Sequence, residues 1–313
     1  MHFKSAMNAE DDLEEAEAAD MMMFCASCGI AEVDDIKLMT CNDCDLVRYC
    51  SDKCQQDHRP HHDASCKERA AELRDELLFK QPESSYLGDC PICCLPLSFN
   101  NNNKSAMYTC CSKTICKGCE YANKLRQLEG RLEDTCPFCR HPMSKDDEES
   151  NTNIMRRIEA NDPHAMGHMG KRHWDEGDYD TAFEYLSRAA ELGDAHAHFI
   201  LGHMYSWGQC VETDKKKRLL HLEEAAIAGH PYARQSLAYD EQENERMDRA
   251  MKHLVIAANL GYDKAIQMLK NCYISGHVSK EDFAASLRAH QAAVDATKSP
   301  LREEAAKFFA EFC

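Results

Sequence analysis

Aromatic side chains are scarce in this chain of 313 residues: they make up 8% of it, with only two tryptophans. A large core must therefore be assembled mainly from Ala, Leu and Met, which suits paired helices better than a β-sandwich. Basic residues are also short, 37 against 54 acidic ones, for a formal charge of −17. A field of that sign repels a polyanion, so nucleic acid is not an expected partner. No apolar run approaches the ~20 residues needed to cross a bilayer, so no membrane partner is expected. Residues 1–20 carry acids where a secretory leader needs an apolar stretch, which points to the cytoplasm and/or nucleus and away from secretion. A glycine-rich phosphate loop, a nucleophile elbow and an HExxH pair are all missing, and no catalytic residue is assigned. Cysteine almost vanishes after residue 139, where only Cys210, Cys272 and Cys313 remain.

The other sixteen of the nineteen cysteines fall between Cys25 and Cys139. In a reducing compartment, paired spacing of this density reads as metal ligation before disulfides. The first group is Cys25 and Cys28, Cys41 and Cys44, Cys50 and Cys54, then His62 and Cys66. Eight such donors make two tetrahedral zinc sites, because a gap of two or three residues lets a tight turn or one helical turn aim both donors at one ion. The ligand order and the text YCSDKCQQ resemble the MYND zinc finger. That resemblance implies interleaved sites, Cys25, Cys28, Cys50 and Cys54 for one ion and Cys41, Cys44, His62 and Cys66 for the other, with His61 left out. It also implies peptide binding through a glutamine, present as Gln55, and a tryptophan, whose position is taken by Arg59.

The second group reads CPICC, TCCSKTICKGC and CPFCR. Its donors pair as Cys90 and Cys93, Cys110 and Cys111, Cys116 and Cys119, Cys136 and Cys139, an order that resembles the RING domain. Lys113 stands where that family usually has a histidine, so adjacent Cys110 and Cys111 resemble the all-cysteine variant; Cys94 is a spare that could replace one of them. The cross-brace so implied places Cys90, Cys93, Cys116 and Cys119 on one zinc and Cys110, Cys111, Cys136 and Cys139 on another. A module of this size cannot bury enough apolar area alone, and each structural zinc contributes on the order of 10 kcal/mol to its folding. With four protein donors per ion, zinc is a scaffold and not a Lewis acid. Four zinc ions are expected in all. Fifteen ligand thiolates and four dications take the formal charge from −17 to about −24, so basic partner surfaces would be attracted.

A third regularity begins near residue 154. NDPHAMGHMG, GDAHAHFILG, GHPYARQSLA and GYDKAIQMLK bring Ala165, Ala197, Ala233 and Ala265 into register at offsets of 32, 36 and 32 residues. Units close with AAELG, AAIAG or AANLG, ending on Gly193, Gly229 and Gly261, where a helix C-cap favours glycine. Each repeat reads as a helical hairpin, the first helix presenting Met169, Leu201, Leu237 or Leu269 and the second Leu186, Leu222 or Leu254. In the fourth unit Ala293 takes the glycine position, and LREEAAKFFAEF follows as an expected capping helix packing Leu301, Phe308 and Phe309. The endings and offsets resemble SEL-like repeats, a tetratricopeptide-related family of protein-binding scaffolds. Histidines in this region, such as His164, His168, His196, His198 and His203, are expected to be solvent-facing or hydrogen-bonded and not ligands.

The expected fold is therefore multidomain, two small cross-brace zinc modules followed by an all-α helical-hairpin repeat solenoid. Its segments are an acidic disordered tail at 1–24, the MYND-type finger at 25–66, a spacer helix at 67–85, the RING-type module at 86–143, an acidic linker at 144–153 and the repeats with their capping helix at 154–313. The RING resemblance implies a ubiquitin ligase that docks a ubiquitin-conjugating enzyme and its ubiquitin. Ile92 would seat that enzyme, Pro137 would support the opposing loop, and Arg140 would bond across enzyme and ubiquitin through its planar fork. Protein or peptide substrates would be recruited by the repeats and the finger. The competing expectations are a non-enzymatic zinc-dependent adaptor and a MYND-based transcriptional corepressor.

Overall fold

The computed structural model describes residues 24–312 except 34 and 100–103. The acidic tail expected at 1–24 lies, apart from Phe24, outside the described residues. The chain divides into two compact units, Met1–Leu78 and Phe79–Cys313.

In the first unit a two-residue antiparallel ladder, β1 Met39–Thr40 and β2 Arg48–Tyr49, pairs Met39 with Tyr49 and Thr40 with Arg48. Its core is small and sulfur-rich: Cys25, Leu38, Cys41, Cys44 and Tyr49. Helix α1, Asp52–Phe79, follows. This corrects the spacer helix expected at 67–85. The helix starts within the finger, where Ser51 Oγ accepts the Cys54 N–H at 3.3 Å as an N-cap does. It carries Pro60 in its interior, and it stops at Phe79, before Pro82, leaving residues 80–85 outside the helix.

The second unit opens with a short hairpin, β3 Ser105–Tyr108 and β4 Lys113–Cys116, in antiparallel register from Ser105 opposite Cys116 to Tyr108 opposite Lys113. Helix α2, Lys117–Gly130, continues from it. Cys90, Leu97, Tyr108, Ile115, Cys116, Cys119 and Cys136 form their core. The acidic linker expected at 144–153 is a helix start instead. Asp146 accepts the Glu149 N–H and caps α3, Asp147–Glu159. Asp147, Glu148 and Glu149 fill its first turn, where acids complement the unpaired N–H groups and the helix dipole. Ile154 and Ile158 of the same helix join the first core cluster of the repeats.

Four hairpins follow: α4 Pro163–Glu176 with α5 Tyr179–Glu191, α6 Ala195–Trp207 with α7 Lys215–Ile227, α8 Pro231–Glu243 with α9 Met247–Asn259, and α10 Asp263–Ile274 with α11 Lys280–Ala296. Ala165, Ala197, Ala233 and Ala265 are fully buried at the same point of each first helix, and Leu186, Leu222 and Leu254 are buried on the second helices. Gly193, Gly229 and Gly261 adopt φ of 85°, 82° and 88°, the left-handed turn that ends the second helix. The fourth unit lacks that glycine, and α11 runs past Ala293 to Ala296. Its counterpart of Leu254 is Ser286, buried with its hydroxyl on the Asp282 carbonyl at 2.9 Å.

The last helix, α12 Pro300–Phe312, was expected to cap the repeats. It packs instead on α2: Phe308 meets Tyr121 at 5.0 Å between ring centroids, and Lys117 Nζ lies 4.8 Å over the Phe309 ring. The cysteine-rich part and the repeats of this unit share their cores. Phe99 belongs to the cluster of the third and fourth hairpins, and Met107 packs on that of the first two. Among the described residues, no helix is long and apolar enough to cross a membrane.

Candidate metal centres and the surfaces around them

Five of the cysteine turns share one backbone device. The N–H four residues after the turn's start returns to its carbonyl: Gly29 to Cys25, Asp45 to Cys41, Cys94 to Cys90, Ser112 to Tyr108 and Arg140 to Cys136, at 2.8–3.2 Å. Each closing residue has positive φ, between 54° and 74°. The turn leaves two side chains converging on one point, which is what a C-x2-C pair needs. Adjacent Cys110 and Cys111 fit the same turn, with Tyr108 at the position where the other four turns have a ligand. Cys94 is the closing residue of its own turn, is exposed, and joins neither cluster.

These turns bring the predicted donors into four groups, each with all ligand atoms within 4.8 Å of one another: Cys25, Cys28, Cys50 and Cys54; Cys41, Cys44, His62 and Cys66; Cys90, Cys93, Cys116 and Cys119; Cys110, Cys111, Cys136 and Cys139. His62 turns Nε2 to Cys44 Sγ at 3.2 Å and Nδ1 toward Ser65 Oγ at 3.4 Å, a partner that orients the ring.

Zinc fits these groups by distance and by charge. A tetrahedron with Zn–S bonds of ~2.3 Å has edges of about 3.8 Å. The paired sulfurs stand 3.6 Å apart for Cys28 and Cys50, 3.7 Å for Cys41 and Cys66, 3.8 Å for Cys90 and Cys119, and 3.5 Å for Cys110 and Cys139. A disulfide would need ~2.05 Å. Left to themselves the thiols oppose one another's ionisation. Burial pushes Cys25 up, but the backbone N–H groups of Cys28, Cys50 and Ser27 outweigh it and bring the thiol to about 6. Its neighbour Cys50 is pushed up to about 12 by its contacts with Cys28 and Cys54. A dication at the centre removes that conflict and holds all the donors deprotonated. The residues present thus suit four zinc ions, each with a complete protein shell.

Of the three residues singled out around the second pair of clusters, Ile92 is 42% exposed and Pro137 is buried. Arg140 is exposed, yet its guanidinium donates to Asn123 Oδ1 at 2.5 Å, and Asn123 Nδ2 donates to the Thr135 carbonyl at 2.9 Å. This network was invisible in the motif. So was Arg302, which reaches Cys93 Sγ at 3.3 Å from 209 residues away. Burial pushes the Cys93 thiol up, while the Leu95 N–H and the Arg302 guanidinium bring it down to about 7.

A row of rings runs along the first helices of the hairpins. Trp174 and Trp207 stack at 6.3 Å and 13°, Trp207 lies on His203 at 4.8 Å, His203 meets Phe199 at 4.5 Å, and Phe199 stacks on His230 at 4.4 Å. Tyr86, from the segment before Cys90, closes the row against His230 at 4.2 Å, and its N–H donates to the Gly229 carbonyl at 3.2 Å. Beside it lies a cleft of about 570 Å³ lined by His164, His168, Lys171, Asp194 and His196 among others. Three of the repeat histidines named from the sequence are hydrogen-bonded: His196 to His230 at 3.1 Å, His198 to His221 at 3.0 Å and His164 to Asp194 at 3.2 Å.

Among solved structures, a Sel1 repeat protein from Oxalobacter formigenes is similar over 57% of this chain and 71% of its own, at 23% identity and a TM-score of 0.40. A protective antigen of uropathogenic Escherichia coli, c5321, which displays an SLR fold, is similar over 60% of this chain and 40% of its own, at 17% identity and a TM-score of 0.38. No curated protein is a match. The family model of the MYND finger matches residues 25–66, the stretch that holds the first two clusters.

Proposed function

We propose that this chain is a zinc-dependent protein-interaction adaptor whose hairpin repeats take an extended peptide bearing an aromatic side chain. One observation carries the reading. The row of rings already holds such a residue, Tyr86 of the chain itself, at one end, while at the other end Trp207 stays 57% exposed beside Trp174 and His203. An aromatic face with free rungs next to occupied ones suits a second segment of the same kind. The closed metal shells agree with it, since four protein donors per ion leave zinc a structural part.

Because Trp174 and Trp207 are the only tryptophans in the sequence, intrinsic fluorescence reports on this surface directly. A peptide with the sequence of residues 82–87 and variants at its tyrosine are the first probes. The expected result is a saturable change in emission that Trp207→Ala abolishes and that a tyrosine-to-alanine peptide fails to produce. Unchanged emission across a library of aromatic-containing peptides would overturn the reading.

A second reading, a RING-type ubiquitin ligase docking a ubiquitin-conjugating enzyme, is favoured by exposed Ile92 between two ligands of interleaved clusters. The bond from Arg140 to Asn123 weighs against it, because that guanidinium is engaged within the module. Autoubiquitylation with a panel of conjugating enzymes, lost on Ile92→Ala, would support the ligase; silence across the panel would leave the adaptor.

A further inference from the structure

Arg302, in the first turn of α12, sends its side chain into the turn that carries Cys93. One terminal nitrogen donates to Cys93 Sγ at 3.3 Å and to the Leu95 carbonyl at 3.0 Å. The other donates to the Pro96 carbonyl at 2.7 Å and to the Thr297 carbonyl in its own segment at 2.8 Å. Its stem passes over Gly118, which lies between the ligands Cys116 and Cys119. A Cβ built on Gly118 would stand 2.8 Å from Arg302 Cγ and 3.1 Å from its backbone nitrogen. The glycine is helical, so it is there for this approach and not for backbone freedom. The ring contacts of Phe308 and Phe309 with α2 hold the rest of the helix alongside.

A closed zinc site with four thiolate ligands carries a formal charge of −2, and its sulfurs keep that charge best when donors point at them. A guanidinium supplies a positive charge and several donors in one plane, so it can serve a thiolate and two carbonyls together. Arg302 does both here: it neutralises part of the charge on the cluster and ties the Cys93 turn to the far end of the chain.

We propose that Arg302 is an outer-sphere part of the Cys90, Cys93, Cys116 and Cys119 metal site, and that zinc at this cluster and docking of α12 are one coupled equilibrium. Whatever the metal adds to helix docking, the docked helix returns as metal affinity. The C-terminal helix is thereby a latch that this one cluster holds shut.

The test uses the full chain loaded with zinc. Release is followed against a chromogenic chelator, and mass-mapped alkylation identifies which cysteines are freed first. For Arg302→Gln, one ion of the four is expected to bind about 10–100-fold more weakly, the usual effect of removing an outer-sphere partner, and to leave correspondingly faster, with Cys90, Cys93, Cys116 and Cys119 alkylated first. Gly118→Ala should do the same while leaving the guanidinium in the sequence. In the zinc-stripped chain, hydrogen exchange should rise over residues 300–312 and stay slow in α4 to α9. Unchanged release in both variants, or equal acceleration at all four sites, would assign Arg302 a packing role only and overturn the coupling.

Discussion

Gly170 tests whether the close seam between the helices of a hairpin sets the stability of the repeats. It lies within α4, where alanine ordinarily gains about 1 kcal/mol over glycine. Here a Cβ would stand 2.6 Å from Leu186 Cγ, 2.8 Å from its Cδ2 and 3.1 Å from its backbone nitrogen. Leu186 is fully buried, and the nearest atom is a branching carbon, so relief requires α5 to move. Overpacking of this kind costs about 1–3 kcal/mol. A branch carbon and a backbone atom at such distances place the cost in the upper part of that range. Gly170→Ala should therefore lose about 1–2 kcal/mol net, a fall in Tm of roughly 2–8 °C for a unit of this size. The equivalent Gly202 is the internal control. Its Cβ would meet Leu222 side-chain carbons at 3.0 Å and no backbone atom closer than Arg218 O at 3.5 Å. Gly202→Ala should stay near neutral. The third hairpin already carries Ala238 at this position, fully buried. Thermal unfolding by circular dichroism reads the difference, and Gly170→Ala in a Leu186→Ala background should cost less than in the parent. If Gly170→Ala melts at or above the parent, the seam is not the close contact described.

Three further outcomes follow from single sites. Burial, then the charges of Arg234 and Arg249, lower the His253 pKa from 6.5 to about 3. The unfolded chain thus binds a proton that the folded one refuses, and this contribution is intact above pH ~6.5 and is lost as pH falls from there toward 3, by up to ~1.4 kcal/mol per unit. His253→Gln should flatten the fall in urea midpoint between pH ~6.5 and ~5.5 at saturating zinc, and an unchanged slope would contradict it. With zinc bound, Cys94 and Cys210 should alkylate quickly and buried Cys272 slowly; Cys94→Ser should retain four zinc ions per chain where Cys110→Ser keeps three, and loss of an ion from Cys94→Ser would make it a ligand. Gly193→Ala should cost the ~1–2 kcal/mol of a left-handed residue with a side chain, but Gly229→Ala more, because its Cβ would also meet Ser84 O at 2.5 Å whereas nothing lies within 4 Å of Gly193; equal chemical-denaturation midpoints would refute this.

What could be read in advance was what repeats or pairs. The offsets that align Ala165, Ala197, Ala233 and Ala265 mark one packing position seen four times, and all four are buried. The donor quartets were what the MYND and RING resemblances implied, and the same quartets stand together in the structure. Signals with two physical meanings mislead. Acids at 146–149 suit a solvated linker and a helix N-terminus equally; the spacing from Asp146 to Glu149, which lets one cap the other's N–H, is the distinguishing feature. The start of α1 is hidden because three of its residues, Cys54, His62 and Cys66, also answer to metal ligation, and Pro60 discourages a helix there. A glycine after a C-x2-C pair, as at Gly29, announces the left-handed closing residue; Cys94, Ser112 and Arg140 occupy the same position without that signal. Arg302 and Tyr86 act across such long separations that no local pattern could have placed them.

Those long-range contacts change what the repeats can be. Tyr86, Phe99 and Met107 precede or interrupt the second set of ligands, yet each packs with residues of the hairpins. The cysteine-rich module is therefore not a bead tethered to a scaffold, because its folding fills positions that the hairpins would otherwise expose. Gly229 shows how the two are matched: it ends α7 in the left-handed conformation, as Gly193 ends α5, but it also receives the chain at Ser84 and accepts the Tyr86 N–H through its carbonyl. Each structural zinc supplies on the order of 10 kcal/mol of apparent folding energy. Metal loading at Cys90, Cys93, Cys116 and Cys119 thus stabilises the segment that keeps Tyr86 seated. Its loss would be expected to free the His196, Phe199 and His230 rungs as well as the C-terminal helix. Under the proposed function, metal occupancy would then decide how many rungs of the aromatic row are open to a peptide, with exposed Trp207 available in either state.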